Sequence, residues 1–128
     1  MGPFPVNSRQ LPPYRDEHLS IDFDRRAAAL DGERLALTRK EYDLLALLVA
    51  NAGEIIPRGA LLLQVWGYGA EIRTRTLDVH IRRLRKKLSV YADQYVETIF
   101  GIGYRFQPYH RSPVFPQAIR KPFMALGA

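Results

Sequence analysis

The sequence predicts an α+β domain: a small N-terminal antiparallel sheet, a core of three helices and a C-terminal β-hairpin. Three observations carry that reading. Apolar Leu19, Ile21 and Phe23 alternate with polar neighbours, and an Asp31-Gly32 turn signal follows. Three segments then show apolar residues at helical spacing, in 38–52, 57–66 and 75–88. Last, two β-rich runs flank Gly101-Ile102-Gly103. A chain of 128 residues has room for one domain with one modest core.

Residues 1–17 are rich in proline and polar residues and read as linker or an expression remnant. His18 to Phe23 is a half-buried strand, Ala27–Leu30 a weaker one, and Arg34–Leu37 the strand returning after the Asp31-Gly32 turn. Thr38-Arg39-Lys40-Glu41 fits a capping box, in which hydroxyl and carboxylate satisfy each other's backbone donors. The apolar face that follows, Tyr42 to Val49, is too broad for a surface helix, so this helix is the core pillar. Gly53 suits its left-handed end. Glu54–Ile56 is a short extended link, and Pro57 opens a second helix running to Gly67. Gly59 in its first turn costs about 1 kcal/mol relative to alanine. Residues 67–74 are a loop, and 75–88 the third helix. Tyr95–Phe100 and Tyr104–Gln107 form the hairpin, with Gly101 and Gly103 as turn residues. The packed domain is expected over 18–107, followed by a Pro-rich tail over 108–128.

Charge is concentrated in one place. Residues 73–88 hold Arg73, Arg75, Arg82, Arg83, Arg85, Lys86 and Lys87 against the single acid Asp78, which is +6, the net charge of the whole chain. The rest is balanced, with 12 of the 19 basic and 12 of the 13 acidic residues. A surplus packed into one helix length points to a polyanion. The alternative is a merely solvated helix face. Such faces interleave acids with bases, whereas residues 82–87 hold five bases and no acid.

On a helical wheel Leu77, Ile81, Leu84 and Leu88 fall within a stripe of about 60°. The opposite face presents Arg75, Val79, Arg82, Arg83 and Lys86, with Thr76, His80 and Lys87 on a shoulder. A helix of this kind fits the major groove of B-DNA. Arg83 flanks Val79 and can fork to O6 and N7 of a guanine, while Val79 suits a thymine methyl. Arg75, Thr76, His80, Arg82, Arg85 and Lys86 are placed to hold phosphate, which sets register rather than sequence. Asp78 is expected to pair with Arg82 four residues on.

Four strings, LTRKEYDLLALLVANAG (37–53), QVWG (64–67), RTLDVHIRRLRKKL (75–88) and GIGYRF (101–106), resemble in order and spacing the DNA-binding effector domain of OmpR/PhoB-type response regulators. The resemblance covers residues 18 to 107. It implies a winged helix-turn-helix fold with a four-stranded N-terminal sheet, the third helix in the major groove and the hairpin, or wing, at the adjacent minor groove. By position it places the base-reading arginine on Arg83 and phosphate contacts on Trp66, Arg75, Thr76, His80, Arg82, Arg85, Thr98 and Tyr104. It further implies RNA polymerase contact through the 67–74 loop, tandem dimers on double-stranded DNA, and control by phosphorylation of a separate receiver domain; none is present in this sequence, so it has been cut off or this is a standalone effector. The sequence departs from the family pattern where many relatives carry a minor-groove arginine before the wing's first glycine; here Phe100 stands there, with Ile102 at the tip. An arginine gains from the potential of a narrow minor groove and Phe does not, so the wing either contributes less or presses an apolar surface on the sugars.

Other classes are disfavoured. There is no cysteine, which excludes disulfides and cysteine zinc sites, and no metal or cofactor is expected. No apolar run approaches the ~18 residues needed to cross a bilayer, and the N-terminus lacks the pattern of a secretory signal; a cytoplasmic protein without a membrane partner is expected. His80-Ile-Arg-Arg83 spells the H-x-x-R of tyrosine recombinases, with Tyr104 or Tyr109 as nucleophile, but four-residue matches are cheap in an Arg-rich helix and no enzyme is expected. A protein-interaction module without sequence-specific DNA binding is the second alternative.

Overall fold

The computed structural model describes residues 11–67 and 75–109. The N-terminal sheet has four antiparallel strands in sequence order, β1 (Tyr14–Arg15), β2 (Leu19–Asp22), β3 (Ala27–Leu30) and β4 (Glu33–Arg34). Leu30 pairs with Glu33 across Asp31-Gly32, and both turn residues have positive φ, 51° and 84°. This is the two-residue turn whose twist matches the strands. The returning strand starts one residue earlier than expected and ends at Arg34, although the Leu35 amide still bonds the Ala28 carbonyl at 2.8 Å. The chain then turns so that Thr38 can cap the next helix, while Leu35 and Leu37 remain packed against the core.

Two corrections concern the edges of the domain. Tyr14–Arg15, placed in the linker by the sequence, is paired with β2 through Tyr14↔Ile21 and Arg15↔Ser20. Next to it, Asp16 gathers five donors: the amides of His18 (2.8 Å), Leu19 (2.9 Å) and Tyr109 (3.2 Å) and the hydroxyls of Tyr14 (2.5 Å) and Tyr95 (2.7 Å). Tyr109, assigned to the tail, packs its ring edge-on against His18. A two-residue strand carries no periodicity, which is why 14–17 read as linker. Residues 1–10, 68–74 and 110–128, including Arg73, most of the expected loop and most of the tail, lie outside the described residues.

The capping box is present: the Glu41 amide bonds Thr38 Oγ1 at 3.2 Å and the Thr38 amide bonds Glu41 Oε1 at 3.0 Å. It opens α1 (Arg39–Ala50), whose Tyr42 and Leu44 to Val49 are all buried. α2 (Arg58–Trp66) ends on Gly67 in left-handed conformation, φ 82°. α3 spans Arg75–Leu88 as expected. A 3-10 turn over Ser89–Tyr91 and a one-turn helix α4 (Ala92–Tyr95) follow, neither of which the sequence signalled. The hairpin is β6 (Val96–Ile99) and β7 (Gly103–Phe106), and the segment read as a link supplies a third strand, β5 (Ile55–Pro57), giving the order β5-β7-β6. Gly53 donates its amide to the Phe106 carbonyl at 2.8 Å, fastening the end of α1 to the same sheet.

Among the described residues one charged side chain is fully inside. Glu41 is 2% exposed and receives the Lys87 ammonium at 2.5 Å, and that ammonium also bonds the Ala36 carbonyl at 2.7 Å. Burial opposes ionisation of Glu41, but Lys87 and the Thr38 amide outweigh it and hold the carboxyl below the usual range. The pair binds the last turn of α3 to the first turn of α1, so Lys87 is withdrawn from the basic surface.

Candidate nucleic-acid interface

The α3 wheel holds in three dimensions. Leu77, Leu84 and Leu88 are 0% exposed and Ile81 1%, seated on the other helices. Arg75, Arg82, Arg83 and Lys86 are exposed, and among the described residues they make no hydrogen bond or ion pair. Val79 lies half-buried between them, in a shallow depression lined also by Arg75, Thr76, His80 and Arg83. The two base-reading candidates, Arg83 and Val79, and three of the phosphate candidates (Arg75, Thr76 and His80) thus share one concave surface, with Arg82 and Lys86 on the same exposed side. The last turn carries Arg85, Lys86 and Lys87, where cations also suit the helix dipole.

Asp78 does not pair with Arg82. It accepts the Arg58 guanidinium from the first turn of α2 and the Tyr104 hydroxyl from β7 at 3.0 Å. Arg58 also reaches that hydroxyl at 3.4 Å and stands over the Tyr104 ring. Tyr104, expected on phosphate, is 5% exposed and used inside this knot. Burial and the Asp78 carboxylate push its phenol upward against the opposing pull of Arg58. Burial alone would weaken the charge on Arg58, but Asp78 and Tyr104 hold it more firmly than usual.

Arg85 also has partners inside the fold. Its guanidinium bonds the Val96 carbonyl at 2.8 Å and Thr98 Oγ1 at 2.7 Å and lies over the Tyr104 ring. Two residues expected on phosphate, Arg85 and Thr98, are therefore joined to each other across α3 and β6. The reason is one of reach: Arg85 sits at the flank of the exposed stripe, nearest the hairpin. Arg58 is the member of this set that sequence reasoning missed. A signal was there, since an arginine in a helix's first turn opposes the dipole and calls for a carboxylate elsewhere.

Trp66 and His80 meet edge to face, ring centroids 4.9 Å apart. Trp66 is half-buried and packs against the core cluster, a structural role compatible with an indole edge at the surface. His80 Nδ1 faces the Thr76 carbonyl at 2.8 Å, so that nitrogen carries the proton. Neutral His80 then offers no donor at Nε2, and a phosphate contact there needs the doubly protonated ring.

The hairpin tip is apolar and open. Phe100 is 90% and Ile102 50% exposed, on either side of Gly101 at φ 79°. The Ile102 amide closes the turn on the Ile99 carbonyl at 2.9 Å, and its own carbonyl accepts the Arg58 amide at 3.0 Å. The tip is thereby fixed to the entry of α2.

A cationic helix seated on two others and strapped to a β-hairpin defines a winged helix-turn-helix module. Residues 32–106 match the family model for "Transcriptional regulatory protein, C terminal", and the chain belongs to that family, the effector domains of OmpR/PhoB-type regulators. It is similar to the DNA-binding domain of RstA from Klebsiella pneumoniae, solved in complex with the RstA box, at 35% identity over 76% of this chain and 98% of that one, TM-score 0.68. It is likewise similar to the DNA-binding domain of CpxR from E. coli, at 30% identity over 77% and 99%, TM-score 0.69. With the response regulator ArlR of Staphylococcus haemolyticus it shares 44% identity over 87 residues, 67% of this chain. The chain spans 40% of the length of that relative.

Proposed function

We propose that this domain binds double-stranded DNA sequence-specifically through α3 and regulates transcription as the effector half of a two-component response regulator. The observation that carries the reading is the bare cationic face of α3, with Arg75, Arg82, Arg83 and Lys86 exposed and unpaired among the described residues. Four like charges held together without acids are relieved by a duplex. Family membership and the solved DNA complex of RstA support the same partner. Arg83 and Val79 read bases; Arg75, Thr76, Arg82 and Lys86 hold phosphates, with Trp66 and His80 at the margin. Control by a phosphorylated receiver domain, head-to-tail pairing on tandem half-sites and polymerase contact through residues 67–74 rest on the resemblance alone.

Three phosphate-holding cations on α3 set the helix's share of the salt dependence, a slope of log K against log salt of about −0.9 each, or about −2.7. The test is random-site selection followed by titration on the recovered duplex and on random sequence. Arg83→Ala is expected to lose about 1–3 kcal/mol on the recovered site and to flatten preference at one base pair. Arg82→Ala should weaken both duplexes alike and reduce the slope by about 1. If the two variants behave identically on both duplexes, this division of labour is wrong. Of the two tyrosines the recombinase reading offers as nucleophile, Tyr104 is buried and held between Arg58 and Asp78, and the Tyr109 ring packs edge-on against His18.

A further inference from the structure

We propose that Phe100, with Ile102 beside it, is an apolar wedge that enters the minor groove next to the half-site held by α3 and opens a deformable base step there. The inference rests on the DNA-binding reading above and deepens it.

Phe100 is the most exposed large apolar side chain among the described residues. Its setting is rigid. Thr98, two residues before it and roughly 7 Å back along the strand, is held by Arg85 of α3. On the other strand Tyr104 is held by Asp78, also of α3. At the tip itself the Ile102 carbonyl is held by the Arg58 amide. The wedge is therefore fixed relative to the cationic face, since Arg85 lies one turn beyond Arg82 on the same helix. With α3 in the major groove, an element strapped along its flank meets the adjacent backbone and the minor groove beyond it.

The chemistry of the tip says what it can do there. From Thr98 to Tyr104 no side chain is charged. No carboxylate repels the phosphates, and no cation attracts them, so the tip's contribution comes from apolar contact. Apolar wedges of Phe or Ile partly unstack a base step in the minor groove and bend the duplex toward the major groove. That opening shows as a bend of the duplex at the step the tip enters. TA and CA steps yield most easily, so the wedge reads sequence through deformability and makes no hydrogen bond to a base.

The experiment compares the 128-residue chain with Phe100→Ala and Phe100→Arg, first by random-site selection, then by affinity and end-labelled FRET bending on the duplex the wild type selects. A copy of that duplex carrying a stiff A-tract in place of the step facing the wing completes the set. The wild type should select a TA or CA step at fixed spacing from its half-site and bend the duplex. Phe100→Ala should select the same half-site without the step, bind the wild-type duplex about tenfold more weakly, and leave it straighter. Phe100→Arg should bind at low salt at least as tightly as wild type, with a slope steeper by about 1, and still lack the step. Wild-type affinity, bend and step preference in Phe100→Ala overturn the proposal. So does a variant that binds a single half-site normally and loses only cooperativity between two, which would place the tip on a second copy of the chain. A wild type that enriches no sequence overturns the DNA-binding reading itself, a result distinct from either.

Discussion

A Gly103→Ala variant is expected to lose about 3 kcal/mol or more of stability and its DNA affinity with it. The cause is proximity rather than backbone conformation. Gly103 pairs with Pro57 on one side and Ile99 on the other, at the centre of the three-stranded sheet. A Cβ there would lie 2.0 Å from the Ile56 carbonyl oxygen and 2.9 Å from the Pro57 Cα. Those are backbone atoms, so no rotamer change relieves the clash, and β5 must part from β7. Arg58 follows directly on β5, and with it would move the knot that joins α2, α3 and the wing. Denaturant unfolding with an unchanged m-value reads the loss. Gly101→Ala is the control: its φ of 79° strains any side chain, but nothing lies within 4 Å, so it should cost only about 1–2 kcal/mol. Equal losses at the two positions would refute the close approach.

Asp16→Ala is expected to cost about 2–4 kcal/mol, lowering Tm by roughly 10–20 °C for a domain of this size. The substitution leaves the hydroxyl of Tyr95, a residue that is 0% exposed, without its carboxylate, and also frees Tyr14 and three amides. Burial and Asp16 together push both phenols well above their ordinary values. For Asp16 itself, partial burial opposes the charge, but the Leu19 amide, the two hydroxyls and the His18 amide outweigh it and its carboxyl is lowered. A lowered folded value means that its stabilisation is complete above the unfolded value near 3.9 and is lost as pH falls below it toward the folded value. Thermal melts between pH 6 and 2.5 should therefore show a shallower acid decline in Asp16→Ala than in wild type. Parallel curves would show that Asp16 does not carry that share.

Much of this was legible before any coordinates. The α3 stripe runs from Leu77 to Leu88, about three turns, long enough for period alone to separate its docking face from its cationic face. The Thr38–Glu41 box and the Asp31-Gly32 turn are local chemistry and were found as such. What was hidden is non-local or too short for a period. Arg58 and Asp78 are twenty residues apart, and nothing in either neighbourhood names the other. Arg85 and Tyr104 carry side chains that suit phosphate as well as they suit each other; the helical wheel placed the first on phosphate and the family resemblance the second, and neither registers the packing that joins them. Gly103 was read as a turn residue like Gly101, because a glycine needed for close approach and one needed for positive φ look alike in sequence. The two-residue β1 and the one-turn α4 offer no pattern at all.

The Asp78–Arg58–Tyr104 knot has a consequence for how recognition is distributed between the partners. It locks reading head and hairpin into one stiff gauge, so neither can adjust its pitch or spacing to suit an imperfect site. On the DNA-binding reading proposed above, conformational accommodation falls on the nucleic acid, and operators are ranked by their own mechanical compliance as well as by the groups they display.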